Sequence, residues 1–155
     1  MEQWGGGVEW KSYDTTTEDG YNLTLFRITE RFKGKREKKG PILLLHGFSG
    51  DAYYWMQAPD PNELSLGVQL AEDGYDVWYG NIRATVFNRT HQTLDASLND
   101  NAFFDYENED VGTDDLPAMV KLIKETVNDC KKVSLLTHSG GSVQTAIALS
   151  RSNNA

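Results

Sequence analysis

Short apolar runs closed off by glycine, proline or charge recur along the chain, and between them lie segments whose apolar residues repeat every three or four positions. Residues 13–17 and 23–28 are β-type runs flanking Glu18-Asp19-Gly20. Asp-Gly between two such runs is a strong hairpin signal, because both residues tolerate the backbone angles of a tight turn. Pro41-Ile42-Leu43-Leu44-Leu45, Asp76-Val77-Trp78-Tyr79 and Val133-Ser134-Leu135-Leu136 are too short for helices and too apolar for strands with a wet face. They read as strands of a parallel sheet buried on both sides.

Leu64, Val68 and Ala71, widened by Leu66 and Leu70, form a helical stripe that Gly74 ends. Leu116, Met119, Val120, Ile123 and Val127 form a second, with Asp114 and Asp115 favourable near a helix N-terminus and Pro117 in the first turn. A third helix is expected just after Ser139, with Val143, Ala146, Ile147 and Ser150 on one face. Alternating strands and helices imply an α/β fold with a mostly parallel sheet and right-handed crossovers, opened by the N-terminal hairpin. Residues 1–12 are expected to be a tail and residues 13–155 the folded part. Residues 33–40, with five basic residues and two glycines, read as a solvated loop. Residues 100–115 carry seven carboxylates and no Lys, Arg or His, and also read as a solvated loop leading into the second helix. They fail as a calcium loop, since counting from Asp105 puts Asp110 and Leu116 where glycine and glutamate are required.

Composition narrows the chemistry. The chain has 155 residues, 39% hydrophobic and 25% charged, which is globular rather than disordered. A net charge of -8 repels phosphate backbones, so nucleic acid is not an expected partner. The single cysteine, Cys130, excludes an internal disulfide framework and leaves no zinc spacing; no metal and no cofactor is expected. No apolar run approaches the roughly 20 residues of a membrane-spanning helix. The opening Met1-Glu2-Gln3-Trp4-Gly5-Gly6-Gly7 has neither the basic nor the apolar part of a secretory signal, which leaves the compartment open. Asn22-Leu23-Thr24 and Asn88-Arg89-Thr90 are glycosylation sequons that matter only in a secreted chain.

Thr137-His138-Ser139-Gly140-Gly141 joins the last apolar run to the last helix, the setting of a nucleophile elbow, where a sharp turn lifts a serine hydroxyl clear of the sheet. Gly141 supplies the small residue the turn needs on its far side; Thr137 stands where the G-x-S-x-G pattern has glycine. His46-Gly47-Phe48 follows the run at residues 41–45, and the loop after that strand donates one backbone N–H to an oxyanion hole. The two donors expected here are the amides of Phe48 and Gly140. His46 reads as a structural histidine at a strand end, and His91, among Asn88, Arg89, Thr90 and Gln92, as an exposed one.

Glu18-Asp19-Gly20-Tyr21, Leu44-Leu45-His46-Gly47-Phe48, the run from Leu70 through Gly74-Tyr75-Asp76-Val77-Trp78-Tyr79-Gly80-Asn81, Asp115-Leu116-Pro117-Ala118 and His138-Ser139, in that order, resemble the signatures of the acid lipases, the group with the gastric and lysosomal acid lipases. The resemblance covers residues 13–150. It implies the α/β-hydrolase fold and hydrolysis of neutral lipid esters such as triacylglycerols or sterol esters, with Ser139 as nucleophile and Phe48 and Gly140 at the oxyanion positions. It also implies a secreted or lysosomal setting. Besides Thr137, two positions depart from the family pattern: Gly140 stands where glutamine is usual, and Ala84 where glycine is typical.

A serine hydroxyl needs a histidine to take its proton and a carboxylate to orient that histidine, in the chain order Ser, Asp or Glu, His for this fold. Sixteen residues follow Ser139, and none is Asp, Glu or His. The expectation is therefore the N-terminal half of a lipase, inactive alone and prone to self-association through an exposed sheet edge. A non-catalytic interaction module and another acyl hydrolase of the same fold, a thioesterase or peptidase, stay open beside it.

Overall fold

The computed structural model describes residues 8–29, 38–58, 60, 62–98, 101–128 and 130–152. Five strands make one mixed sheet in the order β1-β2-β4-β3-β5: β1 (Trp10–Thr16), β2 (Asn22–Ile28), β3 (Gly40–Leu45), β4 (Tyr75–Gly80) and β5 (Ser134–Thr137). β3 pairs in parallel with both β4 and β5, whereas β1 and β2 are antiparallel and β2 meets β4 antiparallel. The hairpin closes through a turn in which the Gly20 N–H donates to the Thr17 carbonyl, 3.1 Å. β1 starts three residues earlier than the sequence suggests, and Val8 is buried, so the folded part reaches into the expected tail. The expected loop at residues 33–40 lies mostly outside the described residues.

β3 explains the two apolar layers. Alternate side chains of a strand point to opposite faces, so Leu43 and Leu45 join one core with Trp78, Met119 and Ile123, while Ile42 and Leu44 join another with Phe26, Val77 and Tyr79. Each such side chain contributes about 1.5–3 kcal/mol by leaving water. Helices cover both layers: α1 (Tyr53–Met56) and α2 (Leu66–Glu72) follow β3, and α3 (Asn101–Phe104), α4 (Asn108–Asp110), α5 (Leu116–Thr126) and α6 (Gly140–Ser152) follow β4 and β5.

The helices correct several expectations. α2 begins at Leu66, with the Ser65 hydroxyl accepting the Val68 N–H, so Leu64 lies before the cap and is 38% exposed. Val127 sits just past the end of α5 in extended backbone. α6 starts where expected but buries another face: Gly141 and Gln144 are inside, and Val143 is 53% exposed. The acidic stretch is not a solvated loop. It is largely helical, capped by Glu107 and Asp110, whose side chains bond each other's backbone N–H, and α4 runs through a π-helical Val111–Asp115 into α5. Phe103, Val111 and Asp115 are buried, and Asp115 is 0% exposed. Asp114 and Asp115 therefore stand inside a continuous helix rather than at its start.

Candidate active site

The ends of β3, β4 and β5 bring three loops together at the carboxyl edge of the parallel strands, the usual place for a site in an open α/β sheet. β5 delivers Ser139. This residue has φ of 51°, a left-handed conformation that costs an L-residue roughly 1–2 kcal/mol. The turn is fixed on both sides: the His138 N–H donates to the Leu45 carbonyl at 3.1 Å, and the N–H groups of Gly141 and Ser142 donate to the carbonyls of His138 and Ser139 at 3.0 and 2.9 Å. Thr137 does not prevent the elbow. It is half-buried, and its hydroxyl meets that of Ser142 at 3.1 Å. Ser139 itself is exposed.

The loop after β3 lies hard against this turn. A Cβ on Gly141 would stand 2.6 Å from the His46 carbonyl oxygen, so glycine is required there by contact with rigid backbone. A Cβ on Gly140 would stand 3.1 Å from the Phe48 amide nitrogen and in ordinary contact with the Phe48 side chain at 3.4 and 3.6 Å. The two expected donors thus come from facing segments. Among the described residues, neither amide N–H donates to a protein acceptor. The Phe48 side chain is 73% exposed.

The histidines are engaged elsewhere. His46 is buried, its Nδ1 2.8 Å from the Gly47 carbonyl and its Nε2 3.4 Å from the Ile82 amide. Those partners assign a neutral ring with the proton on Nδ1. Burial pushes its pKa down, with the Gly47 carbonyl pulling the other way. His91 is half-buried rather than exposed: its Nδ1 accepts the N–H groups of Thr93 and Leu94, both at 3.0 Å, and its Nε2 donates to the Asp19 carbonyl at 2.8 Å. The His138 ring stacks on Tyr54, centroids 4.7 Å apart.

Residues whose role the sequence left open hold the loops in place. The Asn81 side chain accepts the Ala52 N–H at 2.8 Å and donates to the Thr24 carbonyl at 2.9 Å, tying the loop after β3 to β2. Arg83, buried, donates from its backbone N–H and its side chain to Asp115 at 2.7 and 2.8 Å, reaches Asp19 at 2.6 Å and lies over the Tyr21 ring. Burial raises the Asp115 carboxyl to about 6 against the pull of Arg83. Partial burial pushes Asp19 up too, but hydrogen bonds from Arg83 and Thr17 outweigh it and hold Asp19 below the usual range. Asn88 is buried with both polar ends bonded, to Thr24, Asn81 and Ile82, so that sequon is closed to a glycan in the folded chain. No cluster of metal-ligating side chains occurs among the described residues.

Residues 40–155 match the family described as the alpha/beta hydrolase fold, and residues 3–58 match a partial alpha/beta-hydrolase lipase region. Lipase member M of Mus musculus is 36% identical over 93% of this chain and 33% of its own length. Human lysosomal acid lipase/cholesteryl ester hydrolase is 34% identical over 97% and 37%, and Arabidopsis thaliana triacylglycerol lipase 2 is 34% identical over 88% and 32%. The chain thus spans about a third of the length of the curated relatives it matches. Among solved structures, an esterase of Pyrococcus furiosus aligns with a TM-score of 0.63 at 21% identity, over 94% of this chain and 48% of that one. That likeness is one of fold.

Proposed function

The chain belongs to the α/β-hydrolase fold family and is acid lipase-like, and on that footing we propose that it is the nucleophile-bearing part of a serine hydrolase of neutral lipid esters. The observation that carries the reading is Ser139 in the left-handed region at a strand-to-helix turn, beside two amides that have no protein acceptor among the described residues. The lipid part rests on the printed names of the relatives, a lysosomal acid lipase/cholesteryl ester hydrolase and a triacylglycerol lipase.

The Ser139 Oγ attacks the ester carbonyl carbon as its proton passes to a base, and the carbonyl oxygen becomes an alkoxide. The amides of Phe48 and Gly140 donate to that oxygen, in hydrogen bonds that strengthen as its charge develops. Collapse of the tetrahedral intermediate expels the alcohol, which takes up the proton, and leaves an acyl-serine; water then repeats the sequence and frees the acid. Within these 155 residues both ring nitrogens of His46 and His91 are engaged, and His138 is part of the elbow. The base and its carboxylate are therefore assigned to sequence outside them, and the 155 residues alone turn over no ester.

The test joins the chain in frame to the C-terminal segment of a matched relative and compares long-chain triacylglycerols with thioesters and peptides. Ser139-dependent release of fatty acid from the lipid is expected. Equal or faster turnover of thioesters or peptides would replace the lipid assignment.

A further inference from the structure

α1 is a single turn of four residues, far below the length at which a helix holds by itself, so packing must fix it. Trp55 anchors it in the core beside Ala52, and the Tyr53 and Tyr54 amides bond Asp51. With Trp55 turned inward, Tyr54 remains 51% exposed, and its ring lies on His138, centroids 4.7 Å apart with 22° between the planes. His138 immediately precedes Ser139. On the other side of this contact, β5 has four residues and pairs only with β3 among the described residues. Among the described residues the turn at Ser139 thus follows a four-residue strand paired on one side, and the loop after β3 runs into a single helical turn.

We propose that the Tyr54–His138 stack is the clamp that holds the loop after β3 against the nucleophile elbow, making Tyr54 a positioning residue for the amides of Phe48 and Gly140. The inference rests on the Ser139 reading above for its catalytic meaning, but the clamp itself is a property of the two loops. Four approaches already join them: the His138 N–H to the Leu45 carbonyl, and the close approaches of Gly47 to Ser139, of Gly141 to His46 and of Gly140 to the Phe48 amide nitrogen. The first three lie at the start of the loop, and the fourth is a van der Waals approach without a hydrogen bond. Between that start and the Asn81 anchor at Ala52, the Gly50 N–H closes a turn on the Gly47 carbonyl, the Phe48 amide makes no hydrogen bond among the described residues, and Tyr54 supplies the tie on the far side. A stacked aromatic pair contributes enough to change a local opening equilibrium by about two- to tenfold.

Amide hydrogen exchange at His138, Gly141, Ser142 and Gly50 reads the clamp without chemistry. The chain is compared with Tyr54→Phe, which keeps the ring, Tyr54→Leu, which removes it, His138→Ala, and the double variant Tyr54→Leu with His138→Ala. Amides of the β1–β2 hairpin report whole-chain unfolding. Exchange in Tyr54→Phe is expected to match the parent. Tyr54→Leu should speed the four amides together by about two- to tenfold with the hairpin unchanged, and the double variant should add little to either single one. Exchange in Tyr54→Leu indistinguishable from the parent, or acceleration in the double variant equal to the product of the singles, would overturn the clamp. In the chain extended for hydrolysis, Tyr54→Leu should lower kcat with KM unchanged, and Tyr54→Phe should restore it. An extended chain that shows the exchange result but no hydrolysis refutes the Ser139 reading and leaves the clamp standing.

Discussion

Ser139 and Gly47 meet across the gap between two loops, the Cβ of Ser139 standing 2.9 Å from where a side chain on Gly47 would begin. The turn at Ser139 and the loop after β3 are therefore in contact with no room for a methyl group. The neighbouring Gly141 is tighter, since its obstacles are the carbonyl oxygens of His46 and Leu45 at 2.6 and 3.0 Å. Gly141→Ala is expected to cost about 1–3 kcal/mol, seen as a lower urea midpoint with an unchanged slope. A midpoint equal to the parent's would mean that the two loops are not pressed together.

Ala84 carries φ of 60°, which accounts for the glycine typical of the family at this position. Ala84→Gly removes the clash of a Cβ in the left-handed region but loosens the unfolded chain. The net expectation is a gain of about 0.5–1 kcal/mol, read as a higher Tm. Ser139→Gly should also stabilise, since Ser139 has φ of 51°, while removing the proposed nucleophile. Ser139→Ala keeps the strained angle and should leave the Tm near the parent's.

The Arg83–Asp115 pair joins the loop after β4 to the π-helical turn, and both partners are shut off from water. Asp115→Asn leaves the buried Arg83 guanidinium with only the partly exposed Asp19 to balance its charge, so the variant is expected to cost about 1–3 kcal/mol in urea unfolding. Asp19→Asn should cost no more than about 1 kcal/mol, because the Asp19 side chain is 39% exposed and water screens its share. Equal costs for the two variants would contradict the buried pair as the dominant contact.

The pH dependence separates the same carboxylates. Asp115, raised to about 6, binds its proton more tightly in the folded chain than in the unfolded one. Its contribution to stability is fully present below the unfolded value of 3.8 and is lost as pH rises through 6. Asp19, held below 3.8, works the other way: its contribution is present above 3.8 and lost as pH falls through its folded value. Carboxyl 13C titration by NMR should show Asp115 titrating near pH 6 with Asp19 still ionised there; Asp115 titrating below 3.8 would reverse the sign.

The strands were readable because Ile42 to Leu45 and Val77 to Tyr79 are apolar on both faces, a pattern only an inner strand needs. Ser139 and the Phe48 loop were readable because their positions follow from chain order at strand ends. Charge density in the acidic stretch signals solvent, whereas Asp115 is buried against Arg83, 32 positions away, a partner that local pattern cannot show. α6 was found with the wrong face for a related reason: its inner side is made of Gly141, pressed on the His46 carbonyl, and Gln144, bonded to Asn108, and neither reads as apolar. Tyr54 left no signal at all, since its meaning lies in the ring it meets.

The most direct test of the account is fluorophosphonate labelling with peptide mapping, run on the 155 residues alone and on the chain extended by the C-terminal segment of a matched relative. A phosphonyl adduct is expected on the peptide carrying Ser139 in the extended protein, abolished by Ser139→Ala, with no adduct on the 155 residues alone. Labelling that survives Ser139→Ala, or a folded extended protein that takes no label, would contradict it.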